Sequence, residues 1–275
     1  MTEDLNPQLE QMAHESMVRN LAHQADAIWP QEREILLRDP VRDGGTILDG
    51  GCGTGEITYR LAELFPAARV HAVDILEEHV ERARERCAPF GDRVRVARGD
   101  IFALDFPADT FDLVVNRHVL QSIPHPERVV AELTRVAKPG GRLHLLAEDY
   151  GMIHMAPTRL DAEVFWHEGP RTFGGATGTD LHIGRNAFSI LRDLGLARIT
   201  MDYVVVDTVR VPRETFAAIW EAWRDGYVDA IAANTRFTKE ETLDFFEDMI
   251  ACIRNPRGYA VWHVPILRAE KPKVA

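Results

Sequence analysis

The sequence predicts an α/β fold: a mostly parallel sheet of about seven strands with helices on both faces. Three observations carry that prediction. From residue 46 onward, short Val/Ile/Leu-rich runs at 46–49, 69–73, 94–97, 111–115 and 142–146 alternate with helix-like segments at 55–64, 77–87 and 127–137. Near-continuous apolar strands suit a sheet covered on both faces, and the intervening helices supply the crossovers. The first run ends in Asp49 and passes into a turn with glycine at alternate positions, Gly51, Gly53 and Gly55. Lys138-Pro139-Gly140-Gly141 then stops the third of these helices and turns the chain into the fifth strand.

The flanking segments follow from the same patterns. Leu9, Ala13, Met17, Leu21, Ala25 and Ile28 recur at helical spacing and predict an amphipathic helix over residues 8–28. Residues 151–180, with many Gly, His and Thr, read as a loop holding one short helix. A helix at about 185–194 and a strand at about 198–209 resume the α/β rhythm. Pro212 opens a helix bearing Phe216, Ile219, Trp220 and Trp223, and another helix spans roughly 238–253. The run 259–268 is the last strand, which Pro265 assigns to an edge or a bulge. The chain is expected to be one domain over 1–275: an N-terminal helical arm at 1–45, a core at 46–150, and a loop at 151–184 that joins a helical cap at 212–257, inserted before the last strand.

Composition narrows the function. The 275 residues are 45% hydrophobic and 27% charged, with 32 basic and 43 acidic residues giving a net charge of −11. Such an acidic chain without a basic run disfavours nucleic acid and anionic membrane as partners. Cys52, Cys87 and Cys252 are scattered and odd in number, which fits a reducing, cytoplasmic setting better than a disulfide framework. No apolar segment has the length of a membrane span. The eleven histidines show no zinc-like spacing, so no metal site is expected.

In an open parallel sheet, ligands meet the carboxyl ends of the strands, and the Asp49–Gly55 turn lies at such an end. Asp74 ends the next strand, 19 positions beyond Gly55, where nucleotide-binding α/β folds carry the acid that accepts from a ribose diol. Asp100 follows the third strand and can accept from an exocyclic amine, with Ile75 and Ile101 on either face of a flat base. A dinucleotide fingerprint beginning at Gly51 would require glycine at position 56, which is Glu56. A carboxylate there opposes a pyrophosphate and tolerates a cation, so the charge pattern favours S-adenosylmethionine, which has a sulfonium and no phosphate.

These motifs, ILDGGCGTGEIT (47–58), VHAVDI (70–75), RGDIFALDF (98–106) and the stretch 111–143, resemble those of Rossmann-like class I S-adenosylmethionine-dependent methyltransferases. The segment 17–32 is similar to an arm that precedes the glycine motif in some of them. The resemblance implies that Asp49, Gly51 and Gly53 contact the methionyl end, Asp74 the ribose hydroxyls, Ile75 and Ile101 the adenine faces, and Asp100 the adenine amine. It places Asn116 and Arg117 near the methionyl group, and Arg19 and Gln24 within reach of the cofactor carboxylate.

The acceptor is then a small molecule, aromatic or heterocyclic, with transfer to carbon, nitrogen or oxygen left open. In-line displacement rests mainly on alignment, and a base is needed only where the acceptor must lose a proton. His118, Tyr150 and His154 are the candidate bases, with Glu148 and Asp149 nearby. Trp166, His167, Trp220 and Trp223, with Phe173 and Trp262, are candidates for the acceptor pocket, beneath cap helices that act as a lid. The chain is expected as a monomer or homodimer. A nicotinamide-dependent oxidoreductase and a non-catalytic cofactor-binding partner subunit are the rival readings.

Overall fold

The computed structural model describes residues 4–39 and 41–273, so the expected arm at 1–45 is described except for residues 1–3 and 40. The arm is two helices, α1 (Leu9–Ala13) and α2 (Glu15–Leu36), separated at His14, whose extended backbone breaks the run and whose ring accepts from the Ser16 amide. The single helix predicted over 8–28 is thus divided and longer, continuing through Pro30.

The core follows as β1 (Thr46–Gly50), α3 (Glu56–Leu64), β2 (Arg69–Asp74), α4 (Glu77–Cys87), β3 (Val94–Arg98), β4 (Phe111–Arg117), α5 (Pro126–Val136) and β5 (Ala137–Leu146). The remainder is β6 (Ile153–Ala156), α6 (Ala162–Thr177), α7 (Ile183–Asp193), β7 (Ala197–Asp207), α8 (Arg213–Asn234), α9 (Lys239–Arg254) and β8 (Tyr259–Glu270). The sheet runs β3-β2-β1-β4-β5-β8-β6, with β7 also paired to β8. β1 to β5 are mutually parallel, and β8 runs antiparallel to β5, β6 and β7. The strand order reverses at β1, between β2 and β4, so the crevice lies where the glycine turn leaves β1.

Alternation within the strands decides which helix each face receives. Ile47, Leu113 and Val115 pack with Leu61 of α3, while Leu48, Val114 and Leu143 pack with Leu133 of α5 and Leu191 of α7. A third core lies beneath the cap, where Phe165, Phe216, Trp220, Phe246 and Trp262 gather from α6, α8, α9 and β8.

Three expectations are corrected. Among the described residues the sheet has eight strands, the addition being β6 in the stretch expected as loop. The same stretch contains the 16-residue α6 rather than one short helix. Asp161 caps α6 by accepting from the Glu163 and Val164 amides, and Phe165, Trp166 and Phe173 are buried along it, which outweighs Gly169, Pro170 and two further glycines. Finally, β8 is an interior strand, and Pro265 sits within it opposite Tyr203. The Pro265 carbonyl accepts from Ala147 just past the end of β5, so its nitrogen faces the gap between β5 and β6, where no ladder bond is required.

Candidate active site

The glycine turn is drawn against β2, because the Gly51 and Cys52 amides both donate to the Val73 carbonyl. Asp74 completes the link: one carboxylate oxygen accepts from the Gly53 amide at 2.8 Å and the other from the Leu76 amide at 3.0 Å. A Cβ on Gly53 (φ 52°) would stand 2.8 Å from the Leu21 side chain of α2, and one on Gly55 2.9 Å from Ala83 of α4. The glycines are therefore required by the helices that close over the turn as well as by the backbone path.

Asp74, Ile75, Asp100, Ile101, Gly51 and Gly53 line one cleft with an empty volume of about 740 Å³. Its roof is the N-terminal segment, with Gln8, Leu9, Met12 and Leu21. Asp100 accepts from the Phe102 amide through one oxygen, which turns the loop after β3 into the cleft. A second chamber shares Gly51, Gly53, Arg117 and His118 with the first and adds Asp49, Gln24 and Glu56. Burial pushes the Asp49 carboxyl up to about 6, against the opposing hydrogen bond donated by Thr58 at 2.6 Å.

Two buried polar assemblies stand behind these chambers. Arg117 approaches Glu32 of α2 at 2.9 Å, and Glu32 also meets the His144 ring of β5 at 2.9 Å. Burial alone would raise Glu32, but the Arg117 guanidinium and the His144 hydrogen bond hold it below the usual carboxylate range. His118 follows β4 with a left-handed backbone, φ 55°, and its Nδ1 is bonded to the Glu148 carboxylate at the end of β5. An L-residue in that conformation is strained by about 1 kcal/mol or more and persists only where its surroundings demand it. Its Nε2 is buried and meets no hydrogen-bond partner among the described residues.

Beneath the cap lies a pocket with an empty volume of about 530 Å³, walled by Tyr150, Trp166, Phe173, Trp223, Tyr227 and Phe246 among others. Gln8 lines both this pocket and the first cleft, and its amide oxygen accepts from the Tyr227 hydroxyl at 2.9 Å. Tyr150 is pushed well above its ordinary value by burial and by the neighbouring Glu148 charge. Glu148 therefore stands between the cleft, through His118, and the pocket, through Tyr150.

The other candidates are placed differently. Arg19 is exposed on α2, His154 is exposed on β6 beside Glu163, and His167 is exposed on α6. None of the three lines the cleft or the pocket. Trp220 and Trp262 are fully buried in the cap core rather than in the pocket wall. Asn116 is buried under the turn, where it donates to the Gly50 carbonyl at 2.7 Å. Glu56 is flanked by Arg60 at 2.6 Å and Arg86 at 2.5 Å, so its charge is offset and its argument against pyrophosphate is weaker than its position implied. Glu32, Gln8 and Tyr227 carried no local signal, since each acquires its role through a partner far away in sequence. Among the described residues, no group of three or more His, Cys, Asp or Glu side chains could hold a metal ion, and no helix is long and apolar enough to cross a membrane.

Comparison with known proteins accords with this geometry. Residues 47–141 match the methyltransferase domain family. The chain is 37% identical over 113 residues to a demethylmenaquinone methyltransferase of Symbiobacterium thermophilum, covering 40% of this chain and 45% of that one. It is 35% identical over 132 residues to a phosphatidylethanolamine N-methyltransferase of Cereibacter sphaeroides, covering 45% and 64%. The chain thus spans only about half to two thirds of the length of these curated relatives. In fold it resembles Haemonchus contortus phosphoethanolamine N-methyltransferase 2, solved with phosphomonomethylethanolamine and S-adenosylhomocysteine, with a TM-score of 0.57 at 22% identity over 89% of this chain and 53% of that one. Over residues 47–141 the chain is thus similar to the methyltransferase domain family, and Asp74 and Asp100 of that segment line one cleft.

Proposed function

We propose that the chain transfers a methyl group from S-adenosylmethionine to an aromatic or heterocyclic small molecule held in the pocket beneath α6, α8 and α9. The observation that carries this reading is the convergence of Asp49, Asp74 and Asp100 on two adjoining chambers, the one with Asp74 and Asp100 sharing a wall residue, Gln8, with an aromatic pocket. The cleft suits the cofactor. Asp74 and Asp100 each keep acceptor capacity for hydroxyls and an amine, and Ile75 and Ile101 offer apolar walls to a flat base. Asp49, buried beside Gly51 and Gly53, supplies a carboxylate for a cationic methionyl end. When bound, the cofactor supplies a sulfonium methyl open to in-line attack.

The chain's own residues align the acceptor and remove its proton. Tyr150, kept protonated by its surroundings, serves as a hydrogen-bond donor rather than a base. His118, which lines the cleft and not the pocket, is the candidate base for an acceptor atom that reaches into the cleft: Glu148 engages Nδ1, which leaves Nε2 to take up the proton. The exposed His154, His167 and Arg19 receive no role in this proposal.

The reading is tested by titrating S-adenosylhomocysteine into wild type and Asp74→Ala in a calorimeter. We expect at least a tenfold loss of affinity, because the variant removes both the ribose acceptor and the clamp on the Gly53 amide. Equal affinity in the two proteins would remove Asp74 from the site.

A further inference from the structure

Among the described residues, the wall of the pocket beneath the cap holds no charged side chain. Its side-chain polar atoms belong to Gln8, to the hydroxyls of Tyr150 and Tyr227 and to the indole nitrogens of Trp166 and Trp223, and the rest of its side chains are aromatic or aliphatic. Both tyrosines are pushed up by burial, and the charge that both feel is Glu148. An anionic ligand entering this space would lose its hydration and meet no cation in the lining. A cation fares little better. Binding through aromatic faces needs those faces turned towards the ligand. Here Tyr150 and Trp166 lie nearly parallel, 11° apart with centroids at 5.7 Å, so that each turns one face towards the other, and Trp223 meets Tyr150 edge-on at 76°. The Glu148 carboxylate is engaged by His118 and does not line the pocket, so a cation likewise loses its hydration without a charged partner there.

We propose that this pocket selects an uncharged, largely apolar molecule carrying a hydroxyl or carbonyl that hydrogen-bonds with the Gln8–Tyr227 pair, and that it refuses phosphorylated and ammonium-bearing molecules. Gln8 and Tyr227 already share one hydrogen bond at 2.9 Å, so together they offer a further acceptor and donor at the wall nearest the cleft. This specifies the acceptor class of the methyltransferase reading and rests on that reading only for the word acceptor. The selectivity itself is a binding property.

Three probes with one ring system separate the possibilities: 1-naphthol, 1-naphthyl phosphate and 1-naphthylmethylammonium. Each is titrated calorimetrically into the full chain saturated with S-adenosylhomocysteine, which occupies the adenosine cleft. We expect naphthol to bind at least tenfold more tightly than either charged probe. Ile231→Trp, which fills the pocket from α8, should abolish naphthol binding while leaving S-adenosylhomocysteine affinity unchanged. The proposal is overturned if a charged probe binds as tightly as naphthol, if naphthol does not bind, or if Ile231→Trp leaves naphthol binding intact. Failure of S-adenosylhomocysteine to bind the wild-type chain would count instead against the methyltransferase reading, and the ranking of the probes would still be measurable.

Discussion

Asp49 shows how burial converts a motif residue into a pH-sensitive one. Its carboxyl is pushed up to about 6, so the folded chain binds this proton more tightly than the unfolded chain does. The ionised form is the costly one, and stability falls as pH rises from the ordinary carboxylate range through about 6. A cationic methionyl end beside Asp49 reverses the preference, because it favours the carboxylate. Affinity for S-adenosylmethionine should therefore drop as pH falls below about 6, and Asp49→Asn should bind several-fold more weakly near neutrality and lose that dependence. Calorimetry between about pH 5 and about pH 8 checks this, and a wild-type affinity flat across the range would contradict it. The placement of Asp49, Asp74 and Asp100 around adjoining chambers was legible because strand spacing sets acids at successive strand tips. Glu56 misled in part: its position was read correctly, but Arg60 and Arg86, which offset its charge, come from four and thirty residues further on.

The elements of the core follow the periodicities that predicted them, whereas the arm and cap depend on distant partners. α2 is anchored by Glu32, which is fully buried between Arg117 of β4 and His144 of β5. Glu32→Ala would leave a guanidinium and an imidazole buried without their carboxylate, and we expect a loss of about 3–5 kcal/mol. Urea unfolding measures it, and a loss below about 1 kcal/mol would mean that the pair contributes little. α6 was unreadable because Gly169, Pro170 and Gly174 are poor helix formers, and the helix is held by packing of its aromatic face. α9, in contrast, carries a legible start: Thr238 and Glu241 form a capping box, each side chain accepting from the other's amide.

Across the whole molecule, the N-terminal segment, the glycine turn and the cap meet around connected chambers, so cofactor binding should stabilise more than the turn alone. S-adenosylhomocysteine at a hundred times its dissociation constant should add about 2.7 kcal/mol, a rise in Tm of about 5 °C for a chain of this size. Thermal unfolding with and without the ligand measures it. At the same concentration a tenfold loss of affinity leaves Asp74→Ala about 1.4 kcal/mol of stabilisation, so its Tm should rise by about half as much or less, and a full rise in that variant would contradict the proposed site.

By itself the sequence determined the α/β alternation, the carboxyl-end glycine turn and the acids that face it. Those depend on local periodicity and on spacing within single strands and turns, which the chain writes in order. Only the tertiary structure decided the eighth strand, the length of α6, the interior position of β8 and the meeting of Gln8, Glu32, His118, Glu148 and Tyr227. Each of these depends on partners brought together from separate elements, and burial then sets what their polar groups can do.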